Sequence, residues 1–432
     1  MNKKFVDSGV DWLGEIPYLW SVQRLKSILL ERNEKNDPVK TDRILSLMRE
    51  RGVIPYEEKG DVGNKSKEKL SEYKLAYPGD IVLNSMNVII GSVGLSEYFG
   101  AVSPVYYMLR PRKENDSVKY FNYIFQTKIF QTKLVGYGNG ILAHRMRIQM
   151  SKLNTIKLPY PPNRIQHNIV DFLDERVLQI DFIIERTKQS IEELKKYKQS
   201  LITETVTKGL DPNVEMKDSE TAYIGDIPFN WNVSRIRYLG FLQNGISKSG
   251  EYFGSGHPFV SYSDVYKNIE LPKNVDGLVE STCEERERYS VKKGDVFFTR
   301  TSETIQEVGF ASTCMEEIPD AVFAGFVIRF RPETQELNPA YAKYYFRSEI
   351  HRKFFVKEMN IVTRASLSQG LLKRLPVLLP SQVEQREISQ FLDEKCYHID
   401  NLIEKKQKII AEMESYKKSL IYEYVTGKKE VV

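Results

Sequence analysis

The chain has 432 residues, enough for two domains, and its hydrophobic residues, 41% of the total, can form ordinary cores. Its net charge is only +5, so charge alone neither requires nor excludes a nucleic-acid partner. No apolar run approaches a membrane span or a signal peptide, and the three cysteines and five histidines lack the spacing of metal ligands. We therefore expect a cytoplasmic protein that holds no metal and contacts no membrane.

The first globular segment contains sequences that return in the second half of the chain. Trp12-Leu13-Gly14-Glu15-Ile16-Pro17 is repeated as Tyr223-Ile224-Gly225-Asp226-Ile227-Pro228. Gly79-Asp80-Ile81-Val82 is repeated as Gly294-Asp295-Val296-Phe297. A Gly-Asp pair before an apolar run is typical of a strand that leaves a tight turn. The repeats therefore predict similar α/β folds in two segments.

Each segment continues with a short helix rich in aromatic residues. Ser117 and Asn338 stand where a helix cap is expected, and the aromatic runs follow at 120–125 and 341–346. Asn338-Pro339-Ala340-Tyr341 is similar to the Asn-Pro-Pro-Tyr motif of adenine methyltransferases but lacks its second proline. The cap explains these residues better, because proline favours the first helical position.

Predicted strands at 153–158 and 372–379 lead into two long helices, at 165–206 and 384–425. Apolar residues recur along both helices in steps of three and four, and Leu392 occupies the position in the second helix that Leu173 occupies in the first. This heptad pattern predicts helices that pack against each other. The residues predicted to form the packed seam are Leu173, Val177, Ile180, Ile184, Ile191, Leu194, Leu392, Cys396, Ile399, Ile403, Ile410 and Met413.

In these features the chain resembles the specificity subunits of type I restriction–modification systems. The resemblance covers essentially the whole chain and rests on the Trp-Leu-Gly-Glu-Ile-Pro sequence, the Gly-Asp turns and the sequence that opens the second long helix, 382–393. The first long helix departs slightly from that opening, but Gln166 and Ile169 keep its glutamine and isoleucine.

The resemblance implies an α+β protein with two globular α/β target-recognition domains. Two long antiparallel coiled-coil helices would join them as a pseudo-twofold internal repeat. The expected boundaries are 1–161 for the first domain, 162–208 for the first helix, 209–380 for the second domain, 381–427 for the second helix and 428–432 for a short basic tail.

The resemblance also implies the partners. Each domain would read one half of a split double-stranded DNA target, and the helices would set the spacing and dock two methylation subunits. Restriction subunits would join in the full complex. The chain itself would be non-catalytic and without a cofactor, while S-adenosylmethionine, ATP and Mg²⁺ would bind the partner subunits. The charged faces of the long helices are candidate docking surfaces.

Candidate DNA-binding residues are hydrogen-bonding and basic side chains in predicted turns and loops, since such groups contact bases and phosphates. They follow the Gly-Asp strands, precede the last strand of each domain, or lie in polar stretches. The candidates are Ser85, Asn87, Thr299, Arg300, Ser302, Asn139, His144, Arg145, Arg364, Lys65, Lys67 and Lys248.

Two other functions remain open from the sequence. A scaffold that binds two copies of a protein, without DNA specificity, would also have two domains and paired helices. A fused methylating enzyme would need an adenosyl cradle, and Gly136-Tyr137-Gly138-Asn139-Gly140 lacks the strand-before, helix-after setting of a nucleotide loop. The absence of a Walker-type Gly-Lys-Ser/Thr sequence argues against ATP binding by this chain.

Overall fold

The computed structural model describes residues 5–49, 51–60, 69–138, 147–302, 308–358 and 365–431. Contacts divide the chain into two compact units. The first unit comprises 1–188 with 407–432, and the second comprises 189–406. Both boundaries fall inside long helices, because half of each helix packs with one globular body and half with the other. The expected domain boundaries, by contrast, treat each helix as one separate segment.

The first unit contains a globular body, 5–160, built from short strands and helices. Its elements are β1 (Phe5–Asp7), β2 (Glu15–Pro17), β3 (Ser21–Arg24), α1 (Leu25–Ile28), β4 (Leu29–Arg32), β5 (Leu45–Met48), β6 (Gly52–Pro55), β7 (Lys74–Ala76), β8 (Ile81–Asn84), β9 (Val93–Leu95), β10 (Gly100–Val102), β11 (Tyr106–Pro111), α2 (Val118–Gln126), α3 (Lys128–Leu134), α4 (Met150–Leu153) and β12 (Lys157–Tyr160). Helix α5 (Asn163–Lys208) follows and continues into the second unit.

The second unit contains the body 216–379. Its elements are β13 (Met216–Asp218), β14 (Asp226–Pro228), β15 (Asn232–Arg235), α6 (Ile236–Leu239), β16 (Gly240–Asn244), β17 (Phe253–Val260), α7 (Tyr262–Lys267), β18 (Leu278–Val279), α8 (Cys283–Arg288), β19 (Val296–Thr299), β20 (Thr301–Ser302), β21 (Ala311–Thr313), β22 (Val322–Phe323), β23 (Val327–Pro332), α9 (Pro339–Tyr345), α10 (Glu349–Glu358), β24 (Ala365–Ser366), α11 (Gln369–Leu372) and β25 (Pro376–Leu379). Helix α12 (Gln382–Val425) follows.

Each body has its own central antiparallel sheet, and the two sheets have the same arrangement of strands. The strand order is β4-β11-β8-β9 in the first body and β16-β23-β19-β21 in the second. Pairs β3–β12 and β15–β25 also correspond. The sheet β18-β17-β22 occurs only in the second body among the described residues. The predicted α/β repeat is therefore confirmed, with a larger second body.

The Gly-Asp turns have the predicted form. Gly79 and Gly294 adopt φ of 86° and 90°, a left-handed conformation that glycine reaches without strain. The following Asp80 and Asp295 carboxylates are 1% exposed and accept the backbone amides of residues 77 and 292 at 3.0 and 2.8 Å. Each carboxylate also forms an ion pair with an arginine of the central sheet. Arg32 lies 2.9 Å from Asp80, and Arg331 lies 2.6 Å from Asp295.

Two local predictions were wrong in detail. Asn338 caps helix α9 by accepting the Ala340 amide at 2.9 Å, as expected, but the Ser117 hydroxyl makes no such capping bond. The apolar runs predicted as strands at 153–158 and 372–379 begin instead with the ends of short helices α4 and α11. A short apolar run does not distinguish a strand from a buried helical turn.

The two predicted long helices are confirmed, and they pair antiparallel inside each unit. In the first unit the Phe172 and Tyr424 rings lie 4.5 Å apart and Lys417 reaches Asp181 at 2.6 Å, so numbering rises along one helix as it falls along the other. Of the predicted seam residues, seven are buried and five half-buried. The buried residues are Leu173, Ile180, Ile184, Ile191, Leu392, Cys396 and Ile399, and the half-buried ones are Val177, Leu194, Ile403, Ile410 and Met413.

The helix seam is continuous with the core of each body. In the first unit Leu173, Ile180 and Leu420 belong to the same hydrophobic cluster as the body. In the second unit Ile202 and Leu392 do so. None of the helices in the described ranges is both long enough and apolar enough to cross a membrane.

Candidate nucleic-acid interface

In each unit, the segment after the Gly-Asp strand lies against the segment that precedes the last strand of the body. The Ile148 amide donates to the Ser85 carbonyl at 2.9 Å in the first unit. The Leu367 amide donates to the Arg300 carbonyl at 2.7 Å in the second, next to the antiparallel pair β20–β24. In both bodies, the residues after the Gly-Asp strand thus contact the described residues that follow the second candidate loop in sequence.

Two of the sequence candidates are too buried to contact DNA. Ser85 and Thr299 have no exposed surface. The Ser85 hydroxyl donates to the Val105 carbonyl at 2.8 Å, and the Thr299 hydroxyl accepts the Phe310 amide at 2.9 Å. These contacts correct the sequence-based assignment, because both side chains hold the neighbouring loop in place and present nothing to a ligand.

Asn87 and Arg300 remain candidates with available surface. Both are half-buried. The Asn87 carbonyl accepts hydrogen bonds from the Ile90 and Ser92 amides at 3.1 Å each, which fixes the turn, and the Asn87 side chain makes no capping hydrogen bond to the following helical turn. The Arg300 guanidinium makes no hydrogen bond or ion pair with any residue that the structure describes. Ser302 follows two residues later in the sequence, in β20.

Lys248 is positioned differently from the expectation. Its ammonium donates to the Glu280 carbonyl and to the Glu285 carboxylate, both at 2.8 Å. The Lys248 hydrogen bond is the largest cause of the lowered pKa of Glu285. Lys248 therefore ties the strand region around β17 and β18 to helix α8, which is a structural role.

Six further candidates lie outside the described residues, and their assignment stays a prediction. They belong to the polar stretch 61–68 and to the loops 139–146 and 359–364. These candidates are Lys65, Lys67, Asn139, His144, Arg145 and Arg364.

Sequence reasoning missed basic residues next to the same regions of the first body. Exposed Arg147 immediately precedes Ile148, and Lys74 donates to the Tyr106 carbonyl at 3.2 Å. Burial lowers the pKa of Lys74, an effect that Glu31 opposes and Arg147 reinforces. Arg147 directly follows the loop that contained the sequence candidates, so its position was a usable signal.

A second missed group lies in the second body around Phe310. The Arg347 and Arg352 guanidinium carbons stand 4.7 and 5.1 Å from the centre of this ring, and the Tyr266 ring meets its edge at 5.2 Å. Burial lowers the pKa of both arginines to about 10, so both remain charged at neutral pH. The repeat gave no signal for them, because neutral Gln126 occupies the position of Arg347 in the first body.

The basic and amide side chains in these two regions are suited to bind an anion or a base edge. Guanidinium, ammonium and amide groups are the side chains that contact phosphates and base edges. Among the described residues, no group of three or more His, Cys, Asp or Glu side chains is placed to hold a metal ion.

Comparison with known proteins agrees with this architecture. The family model for the type I restriction modification DNA specificity domain matches residues 19–196 and again 228–415. Among curated relatives, the chain is 24% identical to the EcoKI specificity subunit of Escherichia coli K12, covering 84% of this chain and 77% of that one. It is 26% identical to the putative MjaX specificity subunit of Methanocaldococcus jannaschii, over 97% and 96% of the two chains.

Solved structures show the same fold. A chain from a study of complex assembly and conformational transition of the type I R-M system matches with a TM-score of 0.73 at 14% identity, covering 96% of this chain and 99% of that one. The HsdS subunit of Thermoanaerobacter tengcongensis matches with a TM-score of 0.54 at 14% identity, over 96% and 98%. These relatives confirm the expected identity of the chain as a specificity subunit, which is a non-catalytic component of its system. Because the family model matches both halves, the chain belongs to the type I restriction–modification DNA specificity family.

Proposed function

We propose that each body reads one half of a bipartite double-stranded DNA target, and that the helix pair sets the spacing of the half-sites and docks two methylation subunits. The observation that carries this proposal is the repeated sheet, in which segments of different sequence occupy the same place. Asn84-Ser85-Met86-Asn87 begins at the last residue of β8, where Thr299-Arg300-Thr301-Ser302 begins at the last residue of β19. One architecture with two different loop sequences suits the reading of two different half-sites.

The helices support the role of a spacer. Helix α5 has 46 residues, which corresponds to a length of about 69 Å at 1.5 Å per residue. Successive turns of a DNA groove repeat about every 34 Å. A continuous helix of this length is therefore adequate to connect readers of separated half-sites.

Exposed apolar residues on the long helices support the docking of two copies of one partner. Leu178, Ile183 and Tyr197 of α5 are repeated by Tyr397, Leu402 and Tyr416 at the equivalent positions of α12. All six are between 45% and 72% exposed. Exposed apolar patches mark protein interaction sites, and a repeated set suits a partner that binds twice. We therefore add these residues to the charged faces as candidate docking surface.

The catalytic chemistry belongs to the partners in this proposal. S-adenosylmethionine would bind the methylation subunits, and ATP with Mg²⁺ would bind the restriction subunits. The chain would contribute the target, by placing a methylation subunit near an adenine in each half-site.

DNA binding by the isolated chain tests the proposal against the protein-scaffold alternative. Titration of a labelled duplex at increasing salt should give an affinity that falls steeply, because phosphate contacts release counterions. Calorimetry with S-adenosylmethionine should show no heat of binding. A chain that captures the methylation subunit but shows no salt-dependent affinity for duplex would be a scaffold, and binding of the cofactor would indicate a fused enzyme.

A further inference from the structure

The aromatic helix of each body contacts both long helices. In the first unit the Tyr120 hydroxyl of α2 donates to the Val425 carbonyl of α12 at 2.8 Å. One turn later, the Tyr123 hydroxyl donates to the Asp174 carboxylate of α5 at 2.6 Å, and Lys119 reaches the other oxygen of that carboxylate at 2.6 Å.

The second unit repeats these contacts with the long helices exchanged. The Tyr341 hydroxyl of α9 donates to the Val206 carbonyl of α5 at 3.3 Å. The Tyr344 hydroxyl donates to Asp393 of α12 at 2.7 Å, and the Lys343 ammonium reaches the same carboxylate at 2.6 Å. Val425 and Asp393 of α12 stand at the positions that Val206 and Asp174 occupy in α5.

The two hydrogen bonds to carbonyls have acceptors that few other groups can reach. Val206 and Val425 lie in the last turns of their helices, where carbonyls lack intrahelical donors. Tyr120 and Tyr341 have no exposed surface, so water does not compete for their hydroxyls. The loss of either hydroxyl would leave a buried carbonyl unpaired, which costs more than the loss of an exposed hydrogen bond.

Two contacts from one rigid helix to two different helices restrict rotation as well as translation. The two tyrosines are three residues apart and therefore share one face of α2 or α9. We propose that each tyrosine pair, Tyr120 with Tyr123 and Tyr341 with Tyr344, fixes the orientation of its body on the helix pair and thereby restricts the gap between half-sites to one length. This proposal rests on the proposed function. The four tyrosines are positioning residues that do not touch DNA.

The second unit provides a matched control on the same helix. Tyr345 of α9 is also buried, and its hydroxyl donates to a backbone carbonyl, that of Pro376, at 3.0 Å. Pro376 belongs to strand β25 of the body, so this bond does not reach a long helix. Tyr345→Phe removes the same type of hydrogen bond without affecting the contact between body and helices.

The experiment maps methylated adenines in cells that express the methylation subunit with the full chain or a variant. With Y341F/Y344F, we expect methylation of sites whose gap is one base pair shorter or longer to rise roughly ten-fold, since two hydrogen bonds are lost. Both half-site sequences should stay unchanged. Y120F/Y123F should act in the same way, and Y345F should keep the single gap.

The outcomes separate this inference from the proposed function. A parent chain that directs no bipartite methylation would contradict the proposed function itself. A bipartite parent with double variants that keep its single gap, or that alter a half-site sequence instead, would overturn only the positioning role. The single variants Y344F and Y123F give the same test if a double variant does not fold, and thermal melting beside Y345F shows whether stability alone explains a change.

Discussion

Lys417 of helix α12 binds both carboxylate oxygens of Asp181 in helix α5, at 2.6 and 2.7 Å. In the second unit Lys198 of α5 binds both oxygens of Asp400 in α12, at 2.7 and 2.6 Å. Asp400 stands in the second helix where Asp181 stands in the first, and Lys417 corresponds in the same way to Lys198. The same two positions therefore form both ion pairs, with the two helices exchanging roles, as a pseudo-twofold repeat requires.

The first prediction concerns the Asp181–Lys417 pair. D181K should lower the free energy of unfolding by about 0.5–1 kcal/mol, since it places two cations together on a partly exposed surface. The double variant D181K/K417D should recover most of that loss. Denaturant unfolding of both variants and of K417D measures the coupling energy, and additive effects of the single changes would show that the pair contributes nothing.

The second prediction concerns Arg300. If its guanidinium contacts a base edge, Arg300→Ala should weaken DNA binding by about 1–3 kcal/mol and relax specificity in one half-site only. Lys248→Ala is the matched control, because its ammonium is bound to Glu280 and Glu285 within the body. Binding assays with duplexes altered in either half-site distinguish R300A, which should lose specificity in one half-site, from K248A, which should keep the specificity of the parent chain. Equal affinities of R300A and the parent chain would remove Arg300 from the interface.

The third prediction concerns the length of the helix pair. Four residues inserted after position 188 of α5, with four after position 406 of α12, lengthen each helix by about 6 Å. The gap between half-sites should then grow by about two base pairs, at roughly 3.4 Å per base pair. Methylation mapping of this variant measures the gap directly, and an unchanged gap would contradict the spacer role.

The fourth prediction concerns acid stability. His351 is 1% exposed, and burial lowers its pKa to about 3. The pKa of His351 in the folded chain is below the ordinary value of histidine, so the unfolded chain binds the proton first as the pH falls. The free energy of unfolding therefore decreases below about pH 6.5. Between pH 6.5 and 4.5 the decrease amounts to roughly 2–3 kcal/mol.

The matching variant for that prediction is H351Q, which keeps a hydrogen-bond donor toward the Tyr345 carbonyl, a contact of 2.7 Å in the parent. H351Q should be less stable at pH 7, but its free energy of unfolding should change less between pH 6.5 and 4.5. Denaturant unfolding at both pH values provides the comparison. Parallel losses in parent and variant would assign the acid sensitivity to other groups.

Some features were predictable because their determinants are local. The heptad seam follows from the spacing of residues such as Leu173 and Leu392, and the tight turns follow from Gly79 and Gly294. The repeated glutamine of the helix openings was recognisable only as a landmark. In the structure Gln166 and Gln385 accept the Ser117 and Asn338 amides at 2.9 and 2.8 Å, which ties each aromatic helix to a long helix.

The interface was less predictable because burial and pairing depend on distant parts of the chain. Ser85 follows a strand and looks exposed in sequence, yet Val105 and Ile148 enclose it by hydrogen bonds. Lys248 looks like a free loop lysine, yet Glu285 of a later helix neutralises it. Arg347 and Arg352 could not be identified from the sequence, because only the fold brings both of them to the Phe310 ring.

A map of methylated adenines in the genome of cells that express the full chain with its methylation subunit tests whether each body reads one half-site. We expect one motif made of two short specific sequences, separated by an unspecified gap of constant length. We also expect R300A to alter only one of those two sequences. A single uninterrupted motif, or an effect of R300A on both halves, would contradict the reading of one half-site by each body.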